Sequence, residues 1–110
     1  MASFVFHGSS GKGYRYLLVP IETASVPREA GNYILAAGNA TNPKPILVDC
    51  ADGVRDALQK QMVSIHWKTA TDIYGVTLLY VHVVDSSEGP ASRLREKIDL
   101  IEAYRPPMNR

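Results

Sequence analysis

The chain has 110 residues, 45% of them hydrophobic, which suits one compact domain with a real core. Lys and Arg number 12 against 11 Asp and Glu, a formal charge of +1, which excludes strong sequence-blind attraction to nucleic acid through bulk charge but not a local basic groove. One cysteine, Cys50, excludes an internal disulfide and fits a reducing compartment; with no basic-then-apolar start and no apolar run long enough for a bilayer, a soluble cytoplasmic domain with no membrane partner is expected.

Ser3-Phe4-Val5-Phe6-His7 alternates briefly and leads into Gly8-Ser9-Ser10-Gly11-Lys12-Gly13. The glycine run has a faint look of a phosphate-binding loop. Its spacing is too short, no Ser or Thr follows Lys12, and a strand comes next, so a plain flexible turn is expected. Tyr14 to Val19 reads as a strand ended by Pro20, and residues 20–30, with Pro20 and Pro27, as a loop or a short turn of helix. Gly31 to Ala37 and Pro45 to Cys50 read as two strands joined by a short polar turn, an antiparallel hairpin. Asp52 suits an N-cap, and Val54, Leu58 and Met62 at helical spacing predict a helix over 53–62. A shorter helical piece is expected over 64–73, with Ile65, Trp67 and Ala70 partly buried. Val76 to Val84 is apolar on both faces, as a central strand would be. Pro90 suits the first position of a last helix, which Pro106-Pro107 stops.

On that last helix, 100° per residue puts Leu94, Ile98, Leu100, Ile101 and Tyr104 on one apolar side. Lys97 falls inside this stripe and Glu96 on its flank. Such a lysine either lays its stem over the core and carries its ammonium to water, or marks a site opening through the stripe. The whole order predicts an α/β domain with a small, mostly antiparallel sheet covered by helices.

The polar residues taken singly favour plain roles. Tyr33 suits strand packing, Arg55 the surface of an amphipathic helix, and Asn109 a cap on the tail. His82 shares a strand face with Leu78, Tyr80 and Val84, so a packed imidazole is expected. No metal-ligand spacing joins His7, His66, His82 and Cys50, and Cys50 reads as a small buried residue.

Several fragments nonetheless stand in a telling order: Gly31-Asn32-Tyr33, Leu47-Val48-Asp49, Asp52-Gly53-Val54-Arg55-Asp56-Ala57-Leu58, His66-Trp67, the strand Thr77 to Val84, and Asp99-Leu100-Ile101 through Pro106-Pro107-Met108-Asn109. Over residues 31–109 the chain resembles the GIY-YIG nuclease superfamily, within a single domain of residues 1–110 that carries an extra N-terminal strand. The resemblance implies a site in which two tyrosines, an arginine, a glutamate and an asparagine surround a scissile phosphate, with the glutamate holding one divalent cation. Carried onto this sequence, it implies Tyr33, Arg55 and Asn109 as site residues. It also sets Leu47 at the second tyrosine, Asp49 at a glycine and Lys97 at the glutamate.

Lysine offers no oxygen to a hard cation, and its ammonium repels one. The expectation is therefore a catalytically degenerate member, with Tyr33, Arg55, Lys97 and Asn109 at the old catalytic positions and no metal or cofactor. It would bind DNA, another nucleic acid or a protein partner, with Arg55, Lys97, Arg93 and Arg95 as phosphate contacts. Two alternatives stay open. One is an active Mg²⁺-dependent DNA endonuclease using a non-standard carboxylate, either Asp49 or a Glu96 turned inward by a one-residue slip of the helix face. The other is a structural or protein-interaction module with no nucleic-acid role. Asp49 is placed either to supply that carboxylate or to pair with Lys97 and plug the pocket.

Overall fold

The computed structural model describes residues 2–84 and 89–109. Five strands, β1 (Ser3–His7), β2 (Gly13–Val19), β3 (Gly31–Asn39), β4 (Asn42–Ala51) and β5 (Leu78–Val83), form one antiparallel sheet in the order β1-β2-β5-β3-β4. Between β4 and β5 lie α1 (Val54–Met62) and α2 (Ile65–Lys68), the latter running on into a π-helical stretch, Thr69–Ile73. The last helix, α3 (Gly89–Tyr104), is followed by a 3₁₀ turn, Pro107–Asn109. This is the expected α/β class, a small antiparallel sheet flanked by helices. The single extra strand expected ahead of β3 is instead a hairpin, β1–β2, docked on the side of β5 away from β3.

Each face of the sheet buries its own core, which is why β5 carries no clean alternation. Leu79 and Val81 point to one face and pack with Val26, Leu35, Leu47 and, from α1, Val54 and Leu58. Tyr80 points to the other, with Phe6, Tyr16, Ile34, Val48 and, from α3, Leu100. Phe6 stands edge-on to both Tyr16 and Tyr80, with centroids 5.5 and 5.2 Å away. At the start of β3, a Cβ on Gly31 would drive into the His82 carbonyl, so only glycine lets β3 approach β5 there.

The structure corrects four local expectations. The glycine turn after β1 is not loose: Asp99 on α3 accepts from the Ser10 amide (2.9 Å), the Ser10 hydroxyl (2.7 Å) and the Tyr14 hydroxyl (2.8 Å). A Cβ on Gly8 would overlap that carboxylate. Asp52 does not cap α1; Gly53 holds the N-cap position, and the first amides of α1 bond to loop carbonyls, Val54 to Glu29 and Arg55 to Pro27, both at 3.0 Å. Ile65 is exposed rather than partly buried, while Ala70 is fully buried. The inward face of α3 is also turned: Arg93, Glu96 and Leu100 are buried, whereas Leu94 and Ile98 are 49% and 48% exposed. Lys97 is thus at the border of the buried face and Glu96 inside it. The cause lies in the sheet below, whose surface under the first half of α3 is polar.

Candidate functional site

That polar surface is set by register. Leu17 opposite Val81 brings Tyr16 beside His82, and Asn32 stands opposite both His82 and Cys50. Tyr16, His82, Asn32 and Cys50 therefore form a row across four strands on the α3 side, with the Tyr16 and His82 rings 5.3 Å apart. Glu96 descends onto this row. Its Oε2 accepts from the Tyr16 hydroxyl at 2.5 Å and lies 2.9 Å from His82 Nδ1. Burial foremost, then the Glu96 charge, pushes the Tyr16 hydroxyl well above its ordinary range, so it stays a donor. Buried Arg93 donates to Asp52 at 2.6 Å, and its carbonyl accepts from Asn32 Nδ2 at 3.0 Å. The other Asn32 atom, Oδ1, is buried with no hydrogen-bond partner among the described residues.

A cleft of about 660 Å³ opens between β2 and α3 beside this row. His82, Glu96, Arg15 and Arg95 line it, together with Lys12, Tyr14 and Asp99. Asp99 is held down at about 2 by its hydrogen bonds, those from Ser10 foremost, while burial and Asp99 push Tyr14 up to about 12. The Lys12 ammonium lies 5.4 Å from the centroid of the Tyr14 ring. Arg15 gives one bond to the Ser3 hydroxyl at 3.1 Å. Arg95 is exposed and has neither hydrogen-bond nor ion-pair partner among the described residues.

The residues expected from sequence fall in separate places. Tyr33, Asp49 and Lys97 do come together: Lys97 Nζ donates to Asp49 Oδ1 at 3.0 Å, and the Tyr33 hydroxyl lies 3.5 Å from Asp49 Oδ2. Asp49 Oδ1 also takes the Cys50 amide at 2.8 Å. Burial first, then the Asp49 charge, raises the Tyr33 hydroxyl far above the usual range. Burial raises the Cys50 thiol, against the pull of Lys97. Arg55 is not in this group; it donates to the Val26 carbonyl (2.7 Å) and the Ala24 carbonyl (3.2 Å) and so ties down the loop before β3. Asn109 pairs both ways with the backbone of Val48, at 2.8 Å each way, closing part of the open edge of β4. Leu47 is packed into the core with Leu35 and Leu58.

These side chains do not fit a divalent cation at the position the resemblance implies. The ammonium of Lys97 already sits on the Asp49 carboxylate, and among the described residues no group of three or more His, Cys, Asp or Glu side chains is placed to hold a metal. Sequence reasoning missed Tyr16 and His82 as partners of Glu96. The available signal was an imidazole, His82, in a strand, β5, that is otherwise Leu, Val and Tyr. Among the described residues, no helix is long and apolar enough to cross a membrane. No family model, no curated protein and no solved structure matches the chain.

Proposed function

We propose that the domain is a nuclease-like module of the GIY-YIG type that binds nucleic acid without a metal at the old catalytic position. The observation that carries this reading is the Lys97–Asp49 pair, 3.0 Å apart and beside Tyr33. Where the resemblance implies a metal-holding carboxylate, this chain has a fixed ammonium, which can meet a phosphate oxygen directly. The element order from β3 to the closing 3₁₀ turn, hairpin, two helical pieces, strand and helix, supports the resemblance over residues 31–109. Of the phosphate contacts expected, Lys97 and Arg95 remain open to solvent, with Lys12 and Arg15 extending them into the cleft. Arg55 and Arg93 serve the scaffold through the Val26 and Ala24 carbonyls and Asp52.

The test is fluorescence anisotropy with labelled single-stranded, duplex and branched DNA and single-stranded RNA, in Mg²⁺ and in chelator. Binding is expected to be salt-sensitive and indifferent to Mg²⁺. Lys97→Glu and Arg95→Ala should each weaken it about tenfold, ~1.4 kcal/mol. Binding unchanged by Lys97→Glu contradicts the reading, and absence of binding turns the search to protein partners.

The inward position of Glu96 favours a second reading, a metal-dependent endonuclease rebuilt on that carboxylate. Against it, Oε2 of Glu96 is engaged by Tyr16 and His82. Strand cleavage that requires Mg²⁺ or Mn²⁺ and is lost in Glu96→Gln would establish it.

A further inference from the structure

We propose that His82 is a proton-transfer group of a second site, in the β2–α3 cleft, and that its substrate is single-stranded RNA. The inference rests on the nucleic-acid reading for the class of ligand, but not on the positions that the nuclease resemblance supplies. A carboxylate side chain 7% exposed is costly to desolvate, and apolar side chains would fill the same space without that cost. Here the carboxylate does one geometric thing: it grips Nδ1 of His82 at 2.9 Å, while the Tyr16 hydroxyl holds it from the other side. With Nδ1 so engaged, the imidazole is fixed in orientation and Nε2 is the ring nitrogen left for chemistry. The His82 side chain is 33% exposed and lines the cleft, so the ring is reachable.

The surroundings choose the substrate. Arg15 and Arg95 line the same cleft as three carboxylates, but Glu96 is held by His82 and Tyr16, Asp99 by Ser10 and Tyr14, and Glu102 by the Ser9 hydroxyl, so the two guanidinium groups are left to meet an anion whose charge grows during reaction. Of the hydroxyl residues in the cleft, Ser10 and Tyr14 are committed to Asp99, and Ser92 is not free either. The nucleophile therefore comes from the substrate, and RNA carries one, the 2′-hydroxyl, beside each phosphorus. In the step proposed, Nε2 takes the 2′-hydroxyl proton while O2′ forms a bond to phosphorus. The bond from phosphorus to the 5′-oxygen breaks, and that oxygen takes back a proton from the imidazolium. The products are a 2′,3′-cyclic phosphate and a free 5′-hydroxyl, with no oxidant, metal or water consumed. The cleft, at about 660 Å³, has room for the nucleotides on either side of one phosphate.

The experiment uses the full chain in EDTA, with fluorescent single-stranded RNA, the same sequence in 2′-O-methyl form, and the same sequence as DNA. The RNA alone should be cut, leaving cyclic-phosphate ends. His82→Ala and His82→Gln, the latter retaining a donor to Glu96, should each lower kcat at least about 100-fold. Glu96→Gln, which weakens the hold on Nδ1 and leaves Nε2 in place, should lower kcat about tenfold and leave KM unchanged. Anisotropy with the 2′-O-methyl strand reads binding separately. Binding without cleavage overturns the His82 assignment and leaves the binding reading standing, whereas loss of both overturns both. Cleavage that persists at the wild-type rate in both His82 variants, or that proceeds equally on DNA, also overturns it.

Discussion

Two clusters one residue apart on α3 show how differently the same chemistry can be housed. Lys97 meets Asp49 beside Tyr33 at the β4 edge; Glu96 meets His82 and Tyr16 over the middle of the sheet. Each joins a carboxylate, a nitrogen cation or base, and a tyrosine. They part on solvent. In the first pair the side chains are 27% and 40% exposed, so water already solvates both charges and the bond adds little stability. In the second the carboxylate is 7% exposed and depends on its two donors. The position at which the resemblance implies a metal-holding carboxylate is an ordinary half-solvated ion pair, and the demanding polar group is its neighbour.

The largest loss should follow Glu96→Ala, which leaves the buried Tyr16 hydroxyl without its acceptor and His82 without its partner. Urea unfolding should show a loss of about 3 kcal/mol, and Glu96→Gln about half of that. Next comes Asn109→Ala, which removes both bonds to the Val48 backbone. It should cost about 1–2 kcal/mol and speed hydrogen exchange at the Val48 amide. Lys97→Met should cost under about 1 kcal/mol. If it costs as much as Glu96→Ala, the two clusters are not different in kind.

The smallest expected effect is an acid dependence from Asp99. Its folded carboxyl sits at about 2 against an ordinary 3.8, so its contribution is present above pH 3.8 and is lost as pH falls through 2. Thermal melts between pH 5 and 2 should fall less steeply in Asp99→Asn than in the wild type. Equal slopes would show that the Ser10 and Tyr14 bonds do not persist in solution.

The fold was legible where local signals agreed. β2, β3, β4 and β5 are β-rich runs bounded by Gly, Pro or Asn, and both ends of the β3–β4 hairpin could be read from them. The pairing of Asp49 with Lys97 was open to sequence reasoning, since opposite charges at site positions suggest it. The inward face of α3 was not. Helical periodicity favours Leu94 and Ile98, but the face is decided by what lies beneath, and that row of Tyr16, Asn32 and His82 exists only after three strands align. The roles of Arg55 and Asn109 were hidden for another reason. Their partners are backbone groups of Ala24, Val26 and Val48, which carry no side-chain identity for a sequence pattern to record.

Titrating Mn²⁺ into ¹⁵N-labelled protein and following paramagnetic broadening asks directly whether Lys97 on Asp49 leaves no cation site at the position where the resemblance implies one. The amides of Tyr33, Asp49, Cys50 and Lys97 should keep their linewidths at concentrations that leave other exposed carboxylates only weakly and diffusely affected. Selective broadening of Tyr33 and Asp49 at low Mn²⁺ would contradict it, because it would mean that the ammonium yields the carboxylate to a metal.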